Sequence, residues 1–139
     1  NEEIDRAANV FLSMGVAAGE RVAVQLCTCP EFMMCLFGLA KIGAVMVPMN
    51  EQYLVEEAAF VLERTEASCA VVEPKFLGLY RAVRDSGPYC PKGVLVARTH
   101  DDKVEGVEEA RAALERDGSL HDFSRLRARR RPSSTRCAR

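Results

Sequence analysis

Six cysteines are the first residues to weigh for chemistry, and Cys27-Thr28-Cys29 brings two of them within one residue of each other. Thiolates bind zinc or exchange disulfides, but both uses favour pairs set further apart, with histidine or more cysteine completing a zinc set. No CxxC pair occurs, and neither histidine lies near Cys27 and Cys29 in the chain. Cys27, Cys29, Cys35 and Cys69 fall in apolar runs, so the expectation is reduced thiols packed as small hydrophobes, with no metal site. A second stretch, Ser86-Gly87-Pro88-Tyr89-Cys90-Pro91-Lys92-Gly93, has the ends of a phosphate loop. Such a loop works by presenting backbone N–H groups and a cation to the anion. Pro88 and Pro91 remove two donors, and Tyr89 adds bulk where glycine and threonine are wanted, so the stretch reads as a connector. No catalytic constellation is visible elsewhere.

The elements that must position any chemistry centre on residues 19–50, GERVAVQLCTCPEFMMCLFGLAKIGAVMVPMN. The run Arg21 to Leu26 predicts a strand, Pro30 to Ile42 a helix, and Ala44 to Val47 a second strand after a break at Gly43. Two apolar strands joined by a nearly all-apolar helix predict a parallel α/β layer, with both strands inside a sheet covered on both faces. Thr28 and Glu31 have the spacing of a capping box at the helix start. Phe32, Met33, Met34, Leu36 and Phe37 predict a deeply buried helix, and Gly38 a close approach of that helix to the sheet. Before this unit, residues 1–14 predict an amphipathic helix with Ile4, Ala8, Phe11 and Leu12 inward and Asn9 on the polar side. Its abrupt start sets the expectation that the protein extends upstream.

After Asn50 the pattern repeats. Leu54 to Thr65 predicts a helix, Cys69 to Val72 a strand, the Phe76, Leu79, Tyr80, Val83 stripe a helix, and Gly93 to Ala97 a fourth strand. Four strands alternating with helices predict a right-handed parallel β-sheet with helices on both faces. Thr99 to Lys103 reads as a polar loop, Glu105 to Arg116 as a surface helix, and Leu120 to Leu126 as a short helix.

The 139 residues are 48% hydrophobic and 28% charged, which excludes a chain disordered throughout. The net charge of −1 hides an asymmetry: residues 125–139 hold seven Arg and no acid, leaving twelve basic and 20 acidic side chains in residues 1–124. We therefore expect an acidic domain over 1–124 and a basic tail over 125–139. That tail is either out-of-frame translation or a disordered strip, and without aromatic residues among its arginines nucleic acid is not its expected partner. No run reaches the ~18–20 apolar residues of a membrane span, and no basic leader precedes Glu2, Glu3 and Asp5, so a cytoplasmic protein is expected.

Gly19-Glu20-Arg21-Val22-Ala23, Cys29-Pro30-Glu31-Phe32 and the run Gly38 to Asn50 (GLAKIGAVMVPMN) together carry a resemblance. In these motifs the chain resembles the N-terminal part of the adenylate-forming acyl-CoA ligases, and among them the crotonobetaine/carnitine-CoA ligases. The likeness runs to about Phe123, roughly the first quarter of such an enzyme. It implies the N-terminal subdomain of that fold. It also implies, for the intact enzyme, that ATP, Mg²⁺ and a carboxylic acid form an acyl-adenylate, from which coenzyme A displaces AMP to give a thioester. The family's phosphate loop, its Thr-Glu pair, its ribose-binding Asp and its C-terminal Lys are not found in this sequence, so catalysis and tight cofactor binding are not expected of it alone. The expected partners are the remaining ligase domains and, in the intact enzyme, a small carboxylic acid.

The same resemblance places Asn50 through Tyr53 at the coenzyme A entrance and makes Arg81 a phosphate contact. The structural alternative is a strand-to-helix turn at Asn50 and a solvated helix Arg81. A different reading of the whole chain is a stand-alone flavodoxin-like module that takes a small anion or nucleotide in the crevice at its strand ends.

Overall fold

The structure, a computed structural model, describes residues 1–86 and 91–129. The elements in chain order are α1 (Glu2–Ser13), β1 (Arg21–Gln25), α2 (Pro30–Lys41), β2 (Val45–Pro48), α3 (Val55–Thr65) and β3 (Cys69–Val72). A 3₁₀ turn (Pro74–Phe76) then leads to α4 (Leu77–Ser86), β4 (Gly93–Val96), α5 (Val107–Arg116), β5 (Leu120–Asp122) and α6 (Phe123–Arg129). The five strands form one sheet in the order β2-β1-β3-β4-β5. Every pairing is parallel, with Val22 opposite Cys69 and Cys69 opposite Gly93 fixing the register across the centre.

Alternation along the central strands sends side chains to two cores. Val22, Val24, Cys69, Val71 and Leu95 face one core, packed by Ala8 and Phe11 of α1, Cys35 and Leu39 of α2, and Phe123 of α6. Ala23, Ala70, Val72, Val94 and Val96 face the other, packed by Leu62 of α3, Tyr80 and Val83 of α4, and Ala113 of α5. The central strands are buried on both sides, which is why they read as unbroken apolar runs rather than alternating ones.

Several expectations need correction. The second apolar strand is not interior: β2 ends the sheet, Val45 and Pro48 are exposed, and a proline at an edge costs no ladder hydrogen bond. There is no capping box, because α2 is capped by Cys29 in extended geometry without a side-chain hydrogen bond. The residue before a proline is driven to that geometry, so Pro30 moves the helix start past Thr28. Nor is α2 buried all round. Met33 and Phe37 are exposed, while Cys35, Gly38 and Leu39 face in. Gly38 admits close approach not of the sheet but of α1, since a Cβ there would lie 3.1 Å from Ala7 Cβ and from the Ala8 backbone nitrogen. On α1 itself Asn9 is buried and Leu12 is exposed, the reverse of the expected faces. A fifth strand replaces the first part of the helix expected over Leu120 to Leu126.

Gly43 has φ +78°, the left-handed backbone that lets α2 stop and turn into β2. At the far end, α6 carries the chain across the expected division at residue 124. Arg127 pairs with Glu3 of α1 at 2.9 Å, touches Met34 Sδ and lies over the Phe123 ring. Gly87 to Cys90, the middle of the phosphate-loop look-alike, and residues 130–139 of the basic tail lie outside the described residues.

Candidate functional site

In an open parallel sheet, ligands bind beyond the carboxyl ends of the strands, where neighbouring strands send their connections to opposite faces. Here that point lies between β1 and β3. β1 leads into α2 on one face, and β3 leads into the 3₁₀ turn and α4 on the other. Two residues past β1 stands Cys27, one past β3 stands Glu73, and two past β4 stands Arg98. Short strands ending in register place these three side chains together from positions as far as 71 residues apart.

Their contacts form one network. The Cys27 backbone N–H donates to Glu73 Oε1 at 2.5 Å, which ties the two loops across the switch point. Arg98 Nη1 donates to Cys27 Sγ at 3.1 Å and lies 4.0 Å from Glu73 Oε1, and Arg98 Nη2 donates to Asp101 Oδ2 at 3.5 Å. Glu73 is 3% exposed, so its charge is held by this network rather than by water. Arg98 has φ +58°, a left-handed backbone costing an ordinary side chain about 1–2 kcal/mol, and the hydrogen bonds of its guanidinium offset that strain. Cys27, Glu73, Lys75, Arg98, Asp101 and Lys103 line a cleft of about 240 Å³.

Cys27 and Cys29 are half-buried rather than core residues, because the turn past β1 lifts them out of the apolar run; only Cys35 and Cys69 are buried as expected. Cys27 Sγ, Cys29 Sγ and a Glu73 carboxylate oxygen all lie within 4.8 Å of one another. Burial pushes the Cys27 thiol up, Glu73 adds to the rise, and Arg98 opposes it. Burial likewise pushes Cys29 to about 12, with Glu31 beside it contributing. Glu31, 6% exposed, has an oxygen, Oε2, that is buried without a hydrogen-bond partner.

Asn50 and Arg81 do not join this cluster. Asn50 is exposed just past the edge strand β2, where its Oδ1 accepts from the Gln52 N–H at 2.8 Å and its carbonyl accepts from Gln25 Nε2 at 2.9 Å. Arg81 lies on α4, half-buried and lining clefts on either side of that helix, with its Nε lacking a partner. Glu73 and Arg98 were missed from sequence. The signal that finds them is a charged residue one or two positions past an apolar strand of a parallel sheet, and it becomes specific only once the strand order is known.

A parallel sheet wound on both faces, with polar and thiol side chains gathered past the strand ends, defines a doubly wound α/β protein. A profile described as "AMP-binding enzyme" matches residues 1–135, and the chain belongs to that family. The match extends into the arginine-rich segment, beyond the limit near Phe123 expected from the motifs. The crotonobetaine/carnitine–CoA ligases of Salmonella paratyphi B and Salmonella typhimurium are each 51% identical to the chain over 84 residues, which is 60% of this chain. The chain spans 16% of the length of those curated relatives. Among solved structures, the anthranilate CoA ligase AuaEII superposes with a TM-score of 0.79 over 99% of this chain and 23% of its own, at 21% identity, a likeness of fold alone. A fatty acyl CoA synthetase of Mycobacterium tuberculosis superposes with a TM-score of 0.66 at 28% identity, over 69% of this chain and 20% of its own. These relatives are acyl-CoA ligases; they lend no support to the stand-alone flavodoxin-like module.

The family implies ATP, Mg²⁺ and coenzyme A in the intact enzyme. The crevice residues do not fit a polyphosphate. The helical turns that open on it begin with Pro30 and Pro74, which have no N–H to offer, and its cations Lys75, Arg98 and Lys103 are matched one for one by Glu73, Asp101 and Glu105.

Proposed function

We propose that this chain is the leading scaffold unit of a cytoplasmic ATP-dependent acid–CoA ligase acting on carnitine-like acids, with the adenylating and thioester-forming groups carried by the remainder of such an enzyme. The observation that carries this reading is the 51% identity to crotonobetaine/carnitine–CoA ligases over 84 residues. The absence, among the described residues, of a helix long and apolar enough to cross a membrane agrees with it. In this reading Asn50 borders the coenzyme A entrance through the turn past β2, and Arg81, which lines a cleft on each side of α4, is a phosphate contact.

The test is ATP–pyrophosphate exchange with carnitine, crotonobetaine and benzoate. It compares this chain alone with a chimera in which the chain replaces the matching segment of a crotonobetaine/carnitine–CoA ligase. Exchange is expected only from the chimera and only with the carnitine-type acids. In a separate assay of thioester formation by the chimera, Asn50→Ala and Arg81→Ala should raise KM for coenzyme A while leaving KM for the acid unchanged. Exchange by the chain alone, or a folded chimera that is inactive, overturns the proposal.

A further inference from the structure

The crevice between β1 and β3 gathers two thiols and a carboxylate beside an arginine, a donor set suited to a metal cation. We infer that Cys27, Cys29 and Glu73 form a binding site for a soft divalent cation, with Zn²⁺ the ion that fits best. This inference stands independently of the ligase reading.

Four observations support it. The three ligand atoms already lie within 4.8 Å of one another, although Glu73 comes from a different loop than the two cysteines. Zinc bonds of about 2.3 Å to sulfur and 2.0–2.2 Å to oxygen require tetrahedral ligands about 3.5–3.8 Å apart, so closure needs movements of at most about 1 Å. Both cysteines are half-buried rather than sealed in the core, so an ion can reach them from solvent. The donor set selects the metal, since two sulfurs and one carboxylate favour zinc over the hard, oxygen-seeking Mg²⁺.

Charge closes the argument. Binding releases the two thiol protons and leaves two thiolates and one carboxylate, three negative charges against the two of Zn²⁺. Arg98, already donating to Cys27 Sγ at 3.1 Å, supplies the missing positive charge and the outer hydrogen bond that orients a metal-bound thiolate. Beside Cys29 the partnerless Glu31 Oε2 is a buried acceptor that the protein alone leaves unsatisfied, and a water in the fourth coordination position would donate to it. Three protein ligands with one open position is the arrangement of zinc sites that bind an exchangeable ligand rather than of closed structural ones.

The experiment uses the full chain, reduced and stripped of metal, titrated with Zn²⁺ against a chromophoric chelator and separately with Co²⁺. One equivalent should bind, and the Co²⁺ form should show a thiolate-to-cobalt charge-transfer band with tetrahedral visible absorption. Cys27→Ser and Cys29→Ser should each weaken binding at least tenfold. Glu73→Gln, which keeps an acceptor for the Cys27 N–H, should also weaken it, and Arg98→Gln should cost about 10–100-fold. A Cys90→Ser/Cys137→Ser variant should bind as the parent does. Because a substituted crevice can misfold, alkylation of the unsubstituted chain gives a second readout: Zn²⁺ should protect Cys27 and Cys29 from iodoacetamide, mapped by mass spectrometry. Sub-stoichiometric binding, a cobalt spectrum without the thiolate band, affinity unchanged in folded Cys27→Ser and Cys29→Ser variants, or no protection overturns the site.

Discussion

Asp117 shows how one side chain can hold a boundary. Its Oδ1 accepts from the Ser119 N–H at 2.9 Å and hydroxyl at 2.6 Å, and its Oδ2 accepts from Arg84 Nη1 at 2.9 Å, joining the end of α5 to the start of β5 and to α4. The Ser119 hydroxyl first, then Arg84 and the Ser119 amide, hold its carboxyl well below the ordinary 3.8. A carboxylate depressed by folding contributes stability above its unfolded pKa and loses that contribution as pH falls through and below it. Asp117→Asn should therefore lower the urea midpoint at neutral pH, and the gap between the two proteins should narrow as pH drops below 3.8; an unchanged gap in acid would refute the linkage. None of this was legible in the sequence, where Asp117-Gly118-Ser119 is one polar turn among several. The crevice was equally hidden. Two cysteines were visible, but their third partner lies 46 residues along the chain from Cys27, and only strand order brings Glu73 to them.

The elements were far more legible than their contacts. Four strands and the helices between them follow from apolar period and glycine punctuation, because doubly buried strands and amphipathic helices write their burial directly into residue type. β5 was missed because Leu120-His121-Asp122 holds one buried apolar residue and runs straight into α6, leaving no period to read. A glycine on an apolar helix signals a close neighbour but not which one: the expected neighbour of Gly38 is the sheet, and the neighbour found is α1. That answer makes a prediction with two signs. Gly38→Ala gains helix propensity, but its methyl meets Ala7 Cβ and the Ala8 backbone at 3.1 Å, so α1 and α2 must separate. The expected result is a loss of about 1–3 kcal/mol. Gly78→Ala, on α4 with nothing within 4 Å of the added methyl, should instead gain about 0.5–1 kcal/mol. Chemical denaturation of both variants checks the pair, and a stabilised Gly38→Ala would mean that the two helices are not held at that distance.

At the scale of the molecule, the two faces of the sheet are filled while the outer sides of the helices on them are not all polar. Leu54, at the start of α3, is 70% exposed, Phe60 of α3 is 63% exposed beside Tyr53 and Val61, and Met33, Phe37 and Val45 are exposed elsewhere. Scattered apolar residues are ordinary on a surface, but Tyr53, Phe60 and Val61 line one shallow depression, and such a patch favours association. A chain that spans 16% of its curated relatives has reason to carry such a patch, because in the proposed ligase other segments lie against it. In isolation the patch has only other copies to meet, so sedimentation should show the average mass rising with concentration. Phe60→Lys places an ammonium one turn after Glu56, a spacing that supports the helix, and removes the most prominent ring from the patch. It should reduce association while changing folding stability by no more than about 0.5 kcal/mol, since Phe60 belongs to neither core. If the unsubstituted chain stays monomeric at high concentration, α3 is not a docking face, and the scaffold reading must find its contact surface on α2 or along the open edge of β2.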